Sequence, residues 1–404
     1  MKKILFAAFA ASLLAAGCQK TEVYQPANSG EKMTFSTEMR KMTKGTPTDG
    51  LDSLKAQGFY LWAYAAFSTE NVSNVDQTTR IYDGMNGMML KYNTTAQSWQ
   101  PDPNKAYYWP GQNKNLRFFA VSSKDDGIKG KVTNLHKITE SGEHVITKED
   151  PSMTIQNYTV LATGDKIAKD DLMVADFLDL NQSSNERKVV LNFRHALSKV
   201  EFLFKATNPG NVDNLKVYVQ QLKVLGLKNQ GTLSVTPVTQ NLFSEQVYEN
   251  PVKLDWGTEE SKTGNESFIQ KSTAQYADTS YPTIETIKEK NDQNQDVVIF
   301  SESVATLIDP EVTATTPLSF AKWLMLPQSI EGKLVEIIYV INGRQFKATF
   351  ALDKSTTGDS LTELKQWGQN KYIKYTITLA PNIISFDANV SDDWDDETGI
   401  NHIN

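Results

Sequence analysis

Apolar and polar residues alternate with a period of two over much of this 404-residue chain, and this pattern limits the folds open to it. The alternation is clearest in residues 334–352. Leu334–Ile341 is rich in β-branched residues, and in the run that follows, Phe346, Ala348 and Phe350 alternate with polar residues. Asn342-Gly343 separates the two runs and favours a type I′ turn, which needs positive φ at both positions. The pattern predicts a β-hairpin.

The same alternation recurs along the chain. In residues 33–39 it places Met33, Phe35, Thr37 and Met39 on one face of a half-buried strand. Further strand-like runs occupy residues 59–67, 116–121, 189–193, 199–204, 215–219, 372–379 and 384–390. Helical signals are few and short, and residues 361–367 predict one or two turns. Strands without long amphipathic helices predict an all-β fold made of β-sandwiches.

The length predicts two domains in tandem. A polar stretch without apolar residues, 181–188, lies near the middle of the chain and is the predicted boundary. We therefore expect an amino-terminal β-sandwich over residues 31–185 and a carboxyl-terminal β-sandwich over residues 186–404, the latter ending in an acidic tail. Residues 258–295 form a long hydrophilic insertion, which predicts a surface loop or a functional elaboration.

The amino end predicts export. Lys2 and Lys3 precede an apolar stretch, residues 4–16, which suits a signal peptide and is too short to span a bilayer. It ends in Ala15-Ala16-Gly17-Cys18, which resembles the lipobox of bacterial lipoproteins. We predict a signal peptide over residues 1–17, lipidation (palmitate) at Cys18 and a polar tether over residues 18–30. The alternative is an ordinary signal peptide with an incidental cysteine.

Composition argues against several functions. The net charge of −7 disfavours nucleic acid as a partner, since binding it requires a basic face. A single cysteine excludes disulfide frameworks and thiolate zinc sites, and the four scattered histidines lack the spacing of a metal or catalytic site. No nucleophile elbow, zincin motif or phosphate-binding loop is present. We therefore predict no catalytic residue, no metal site and no cofactor, and a protein that is not an enzyme.

Aromatic residues leave a second interpretation open. Trp99 and Trp109 lie in one segment with Tyr107 and Tyr108, and such a cluster would suit a sugar-binding platform. An exposed row of rings here or near Trp256 would indicate a surface glycan-binding lipoprotein of a polysaccharide-uptake system. Buried rings would instead indicate that they fill a sandwich core.

Six segments in order resemble the fimbrillin family of outer-membrane lipoproteins: KMTFSTEMRKMTKG, LKAQGFYLWAY, AYYWPGQNKNLRFFAVS, LMVADF, VVLNFRHALSKVEFLFKA and NKYIKYTITLAPNIISFDANVSDDW. The chain departs from the family at Thr43-Lys44, where Thr-Arg is common. The resemblance implies two transthyretin-like β-sandwich domains. It also implies a structural subunit or tip/anchor adhesin of a cell-surface fimbria (pilus). Its partners would be other fimbrial subunits, the outer-membrane lipid through Cys18, and a ligand on a host or bacterial surface.

The resemblance further implies assembly by donor-strand exchange, in which a protease of Arg/Lys specificity removes the first strand. Met33, Phe35 and Met39 would be the apolar residues of the exchangeable strand, and Arg40 or Lys41 the cleavage site, with Lys44 a weaker candidate. The alternative is a retained strand beside an incidental basic pair. The donor candidates are residues 384–390 and the tail to Asn404, unless they form the last strand of the chain's own domain.

Two short patterns, Asp52-Ser53-Leu54 and Asp359-Ser360-Leu361, resemble an O-glycosylation site of exported proteins. A three-residue pattern occurs by chance in a chain of this length. Intact-mass measurement would show whether Ser53 or Ser360 is modified.

Overall fold

The structure is a computed structural model. It describes residues 31–39, 49–66, 79–109, 115–133, 135, 137–138, 144–145, 152–161, 170–180, 188–238, 248–250, 252–276, 287–354, 364–381 and 384–391. Over these residues the fold is all-β with three short α-helices and one short 3₁₀ helix, which confirms the predicted fold class.

The elements up to residue 180 are β1 (Thr34–Met39), α1 (Asp49–Gln57), β2 (Phe59–Ala66), β3 (Thr79–Asn93), β4 (Ser98–Asp102), β5 (Asn115–Ser122), α2 (Ile128–Lys131), β6 (Val132–Thr133), β7 (Lys137–Ile138), β8 (His144–Val145), β9 (Met153–Thr159), β10 (Met173–Ala175) and β11 (Phe177–Leu180).

The later elements are β12 (Lys188–His195), β13 (Ser198–Ala206), β14 (Val217–Leu227), β15 (Gln230–Pro237), β16 (Tyr248–Asn250), β17 (Val252–Asp255), the 3₁₀ helix Glu259–Ser261, β18 (Glu266–Lys271), β19 (Ile287–Lys290), β20 (Asp296–Phe300), β21 (Thr306–Leu307), α3 (Pro310–Thr313), β22 (Leu318–Met325), β23 (Gln328–Ser329), β24 (Leu334–Ile341), β25 (Arg344–Ala351), β26 (Gln366–Trp367), β27 (Tyr372–Leu379) and β28 (Ile384–Ser391).

The amino-terminal strands form one large sheet in the order β1-β12-β10-β5-β2-β3-β4, in which β11 also pairs with β5 and β16 pairs with β11. Alternate residues of these strands share one apolar cluster, which Leu54 of α1 joins. On β2 and β5 the other face is buried too, since Trp62 and Phe119 belong to a second, larger cluster. Burial on both faces explains why these strands read as continuous apolar runs.

The carboxyl-terminal part contains a two-layered β-sandwich. One sheet has the order β22-β13-β27-β28, and the other has the order β18-β14-β24-β25 with β21 beside β14. Aromatic rings meet between the layers. Phe268 packs on Trp323 with 5.9 Å between ring centroids, and Phe350 stacks on Phe386 at 5.5 Å. The apolar faces of the two sheets therefore form one core.

A third sheet, β17-β15-β9-β6, combines strands from both sides of the boundary predicted near residue 185. The strand just after that boundary, β12, is hydrogen-bonded to β1 and β10 of the amino-terminal sheet. Trp256, directly after β17, donates a hydrogen bond of 2.7 Å to the carbonyl of Ala196. The division into residues 31–185 and 186–404 stays a prediction, and the described sheets do not separate at that point.

The predicted hairpin is confirmed. β24 and β25 pair from Leu334↔Ala351 to Ile341↔Arg344, and the two turn residues, Asn342 and Gly343, have φ of 47° and 79°. The helical prediction for residues 361–367 is wrong at its described end, because Gln366–Trp367 is a short strand paired with Gln328–Ser329. Trp367 is fully buried there, and its indole Nε1 donates to the Tyr375 hydroxyl at 2.9 Å.

Candidate strand-exchange site

β1 forms an edge of the amino-terminal sheet. It pairs in parallel with β12 over six residues, from Thr34↔Lys188 to Met39↔Phe193. Backbone bonds just before β1 hold its other side at the amino end, since the amide of Met33 donates to the Tyr107 carbonyl at 2.8 Å. The backbone of β1 is thus held by one continuous ladder with β12 and by the hydrogen bonds just before its amino end.

The side chains of β1 alternate between core and solvent. Phe35 and Met39 of β1, and Met33 directly before it, are 8%, 9% and 3% exposed and belong to the apolar cluster of the large sheet, whereas Thr34 and Glu38 are exposed. Burial of three such side chains is worth about 1.5–3 kcal/mol each, or roughly 5–9 kcal/mol together. Removal of this strand would therefore open an apolar groove beside β12.

The fourth inward position of β1 is polar. Thr37 is half-buried, and its Oγ1 accepts a hydrogen bond of 2.9 Å from the indole Nε1 of Trp99 on β4. Trp99 is 6% exposed and packs edge-on against Phe59, with 4.9 Å between ring centroids, and against Tyr92 at 5.3 Å. The sequence interpretation grouped Thr37 with the apolar residues by spacing alone and missed this contact. The sequence signal for this contact is that Thr37 is the one hydroxyl residue on a face that is otherwise apolar.

Several predicted sites lie outside the described residues. These are Cys18, the cleavage candidates Arg40, Lys41 and Lys44, and Ser360. β1 ends at Met39, immediately before Arg40. Ser53 lies on α1 and is half-buried, while its neighbour Leu54 is fully buried in the core.

The carboxyl-terminal donor candidate is paired within its own chain. β28 is antiparallel to β27, from Tyr372↔Ser391 to Leu379↔Ile384, and forms an edge of the sandwich. Phe386 is fully buried and stacks on Tyr375 at 5.2 Å. In this conformation residues 384–390 are the last strand of the domain, and the tail from residue 392 lies outside the described residues.

The tryptophans are buried wherever the structure describes them. Their exposed fractions are at most 6%, at Trp62, Trp99, Trp109, Trp256, Trp323 and Trp367. Tyr107 is buried as well, and Tyr108 is half-buried. By the criterion of ring exposure, these residues fill cores, which argues against a sugar-binding platform in the described part of the chain.

Several buried titratable groups make hydrogen bonds with neighbouring side chains. His195 Nδ1 lies 2.9 Å from Asp171 Oδ1, and both side chains are buried. Asp170 accepts hydrogen bonds from Ser123 and Tyr158 at 2.6 and 2.9 Å, and burial raises the pKa of its carboxyl. Within the described residues, His, Cys, Asp and Glu nowhere gather in threes that could hold a metal. None of the described helices is long and apolar enough to cross a bilayer.

The chain is similar to known fimbrial proteins. A family model described as fimbrillin-like matches residues 57–394. Among solved structures, a fimbrial protein from Bacteroides vulgatus is 14% identical, with 89% of this chain and 98% of that chain covered and a TM-score of 0.51. A provisionally assigned cell adhesion protein from Bacteroides uniformis is 12% identical, with 91% and 99% covered and a TM-score of 0.40.

No curated protein matches the chain. The structural likeness to the Bacteroides vulgatus protein shows a shared fold. The family model spans well over half of the sequence, so the chain belongs to the fimbrillin-like family.

Proposed function

We propose that this protein is a non-enzymatic structural subunit or tip/anchor adhesin of a cell-surface fimbria that assembles by β-strand exchange. The observation that carries the proposal is β1, an amphipathic edge strand whose two apolar side chains are buried together with that of Met33 directly before it, and whose backbone has one continuous ladder, with β12. The family supports the fimbrial role.

Exchange at this site has a physical basis. Loss of β1 would leave the edge of β12 without a partner and expose the apolar residues around Val189, Leu191 and Phe193. A strand from another subunit would recover both the backbone hydrogen bonds and the apolar burial. This is β-augmentation, in which main-chain bonds supply affinity and alternate side chains supply specificity.

The remaining steps rest on the sequence. We propose export as a lipoprotein, anchoring in the outer membrane through a lipid on Cys18, and cleavage after Arg40 or Lys41 by a protease of Arg/Lys specificity. The two basic residues follow the last residue of β1 directly, so cleavage there would free the whole strand from the chain.

A test in vitro uses the chain from residue 18, with Cys18→Ser to avoid lipidation. Treatment of the folded protein with an Arg/Lys-specific protease should cut after Arg40 or Lys41, as shown by mass spectrometry, and the cut chain should then exchange its first strand for an added labelled peptide of residues 31–39. The matched control, Arg40→Gln with Lys41→Gln and Lys44→Gln, should stay uncut at this site and incorporate no peptide. Complete cleavage without peptide incorporation, or equal incorporation by the control, would contradict the proposal.

A further inference from the structure

We infer that the groove beneath β1 selects its occupant by a hydrogen-bond acceptor at the position of Thr37, and that the preferred donor strand therefore comes from a different subunit rather than from β28 of a second copy. This inference rests on the strand exchange proposed above and specifies which sequence of donor strand the groove binds.

The selecting group is the indole N–H of Trp99. It donates to the Thr37 hydroxyl across 2.9 Å, and its ring packs edge-on against the rings of Phe59 and Tyr92. Trp99 is on β4, at the far end of the sheet order from β1, so it stays with the groove when β1 leaves. An incoming strand meets this donor whatever its own sequence.

A buried N–H without an acceptor loses its bond to water and gains nothing in return. An apolar side chain at the Thr37 position would leave Trp99 in that state. The cost corresponds to about tenfold weaker binding or more. A hydroxyl or carboxamide at the same position avoids it.

The groove thus accepts a strand that runs in the direction of β1. Counted from the position of Met33, this strand has apolar residues at the first, third and seventh positions and a side-chain hydrogen-bond acceptor at the fifth. The resident segment, residues 33–39, has this pattern in Met33, Phe35, Thr37 and Met39.

The carboxyl-terminal strand fits three of these four positions. When Phe386 takes the position of Phe35, Ile384 and Val390 supply the outer apolar residues, but Ala388 falls at the Thr37 position. Ala388 has no side-chain acceptor, and the opposite phase of β28 (Ser385, Asp387, Asn389) would bury polar groups in apolar pockets. A homopolymer built through β28 is therefore disfavoured.

The test uses the full mature chain with a site-specific protease sequence inserted between Lys44 and Gly45 and cut only after folding. The cut leaves the resident β1 segment bound without a covalent link. Labelled peptides of residues 31–39 then compete for the groove, and their relative affinities are measured from the fraction that displaces the resident segment.

The wild-type peptide and its Thr37→Ser variant should bind within a few-fold of each other, and the nearly isosteric Thr37→Val variant should bind about tenfold more weakly. In a chain with Trp99→Phe, which lacks the indole N–H, this difference should vanish. A peptide of residues 384–391 should bind weakly. Its Ala388→Thr variant should bind more tightly to the chain that has Trp99, but not to the Trp99→Phe chain.

The outcomes separate the two proposals. If no peptide displaces β1, including the wild-type sequence, strand exchange at this site is wrong. If Thr37→Val binds as well as wild type, or stays tenfold weaker in the Trp99→Phe chain, the selection rule is wrong while exchange stands. Urea unfolding of the uncut chain tests the selection rule independently. Thr37→Val should lower the unfolding midpoint of the chain that has Trp99, but not that of the Trp99→Phe chain.

Discussion

Truncation of one buried side chain on β1 should destabilise the whole amino-terminal sheet. Phe35 is 8% exposed and pairs in register with Val189 of β12, inside the cluster that also contains Phe59 and Phe193. Phe→Ala in a core costs about 3–5 kcal/mol, from lost transfer energy and the cavity left behind. Because β1 is an edge strand that can relax toward solvent, we expect Phe35→Ala to cost about 3 kcal/mol.

The assay is urea unfolding of the uncleaved chain, monitored by tryptophan fluorescence. Trp99 and Trp109 lie in the same apolar cluster as Phe35 and contribute to the signal. The matched control is Thr34→Ala, on the same strand and exposed, which should change the free energy of unfolding by no more than about 0.5 kcal/mol. An effect of Phe35→Ala below about 1 kcal/mol, or equal to that of the control, would show that β1 does not complete the core.

Three further predictions concern other parts of the fold. Gly343→Ala should cost about 1–2 kcal/mol of stability in urea unfolding, because its φ of 79° is unfavourable for L-residues, whereas Gly130→Ala meets open space and should be near neutral. Burial raises the pKa of Tyr64, Tyr158 and Tyr375 above 10.0, so the folded state holds these protons more tightly. Stability should fall as pH rises beyond about 10, and absorbance at ~295 nm should show these tyrosines ionising only as the chain unfolds. Trp256→Phe removes the bond to the Ala196 carbonyl and should cost about 1–3 kcal/mol by thermal or urea unfolding; no change would show that this contact is not stabilising.

Local patterns predicted the strands well because period-two alternation and an Asn-Gly turn act within a few residues. The hairpin of β24 and β25 and the strand β1 are examples. Residues 361–367 misled the prediction because Trp367 forms its contacts with Tyr375 and the strand Gln328–Ser329, which no local helical pattern can show. Helix α1 went unpredicted because its sequence, DGLDSLKAQ, has a weak apolar face in which Leu54 is the fully buried residue.

The arrangement of the sheets was harder to predict for the same reason. β1 pairs with β12, and β9 pairs with β15, across long stretches of chain. Non-local pairing of this kind places strands on either side of a polar segment in one sheet, so composition near residue 185 does not reveal it. The Trp99–Thr37 hydrogen bond joins residues 62 apart and needed the packing of β4 against β1 to become visible.

The claim that a removable first strand completes the amino-terminal sheet is tested most directly by the amino-terminal sequence and intact mass of chains taken from assembled fimbriae at the cell surface. We predict that these chains begin at Lys41 or Met42 and lack β1, while unassembled precursor still begins at a lipidated Cys18. Assembled chains that retain Cys18 and all of residues 34–39 would contradict strand exchange at this site.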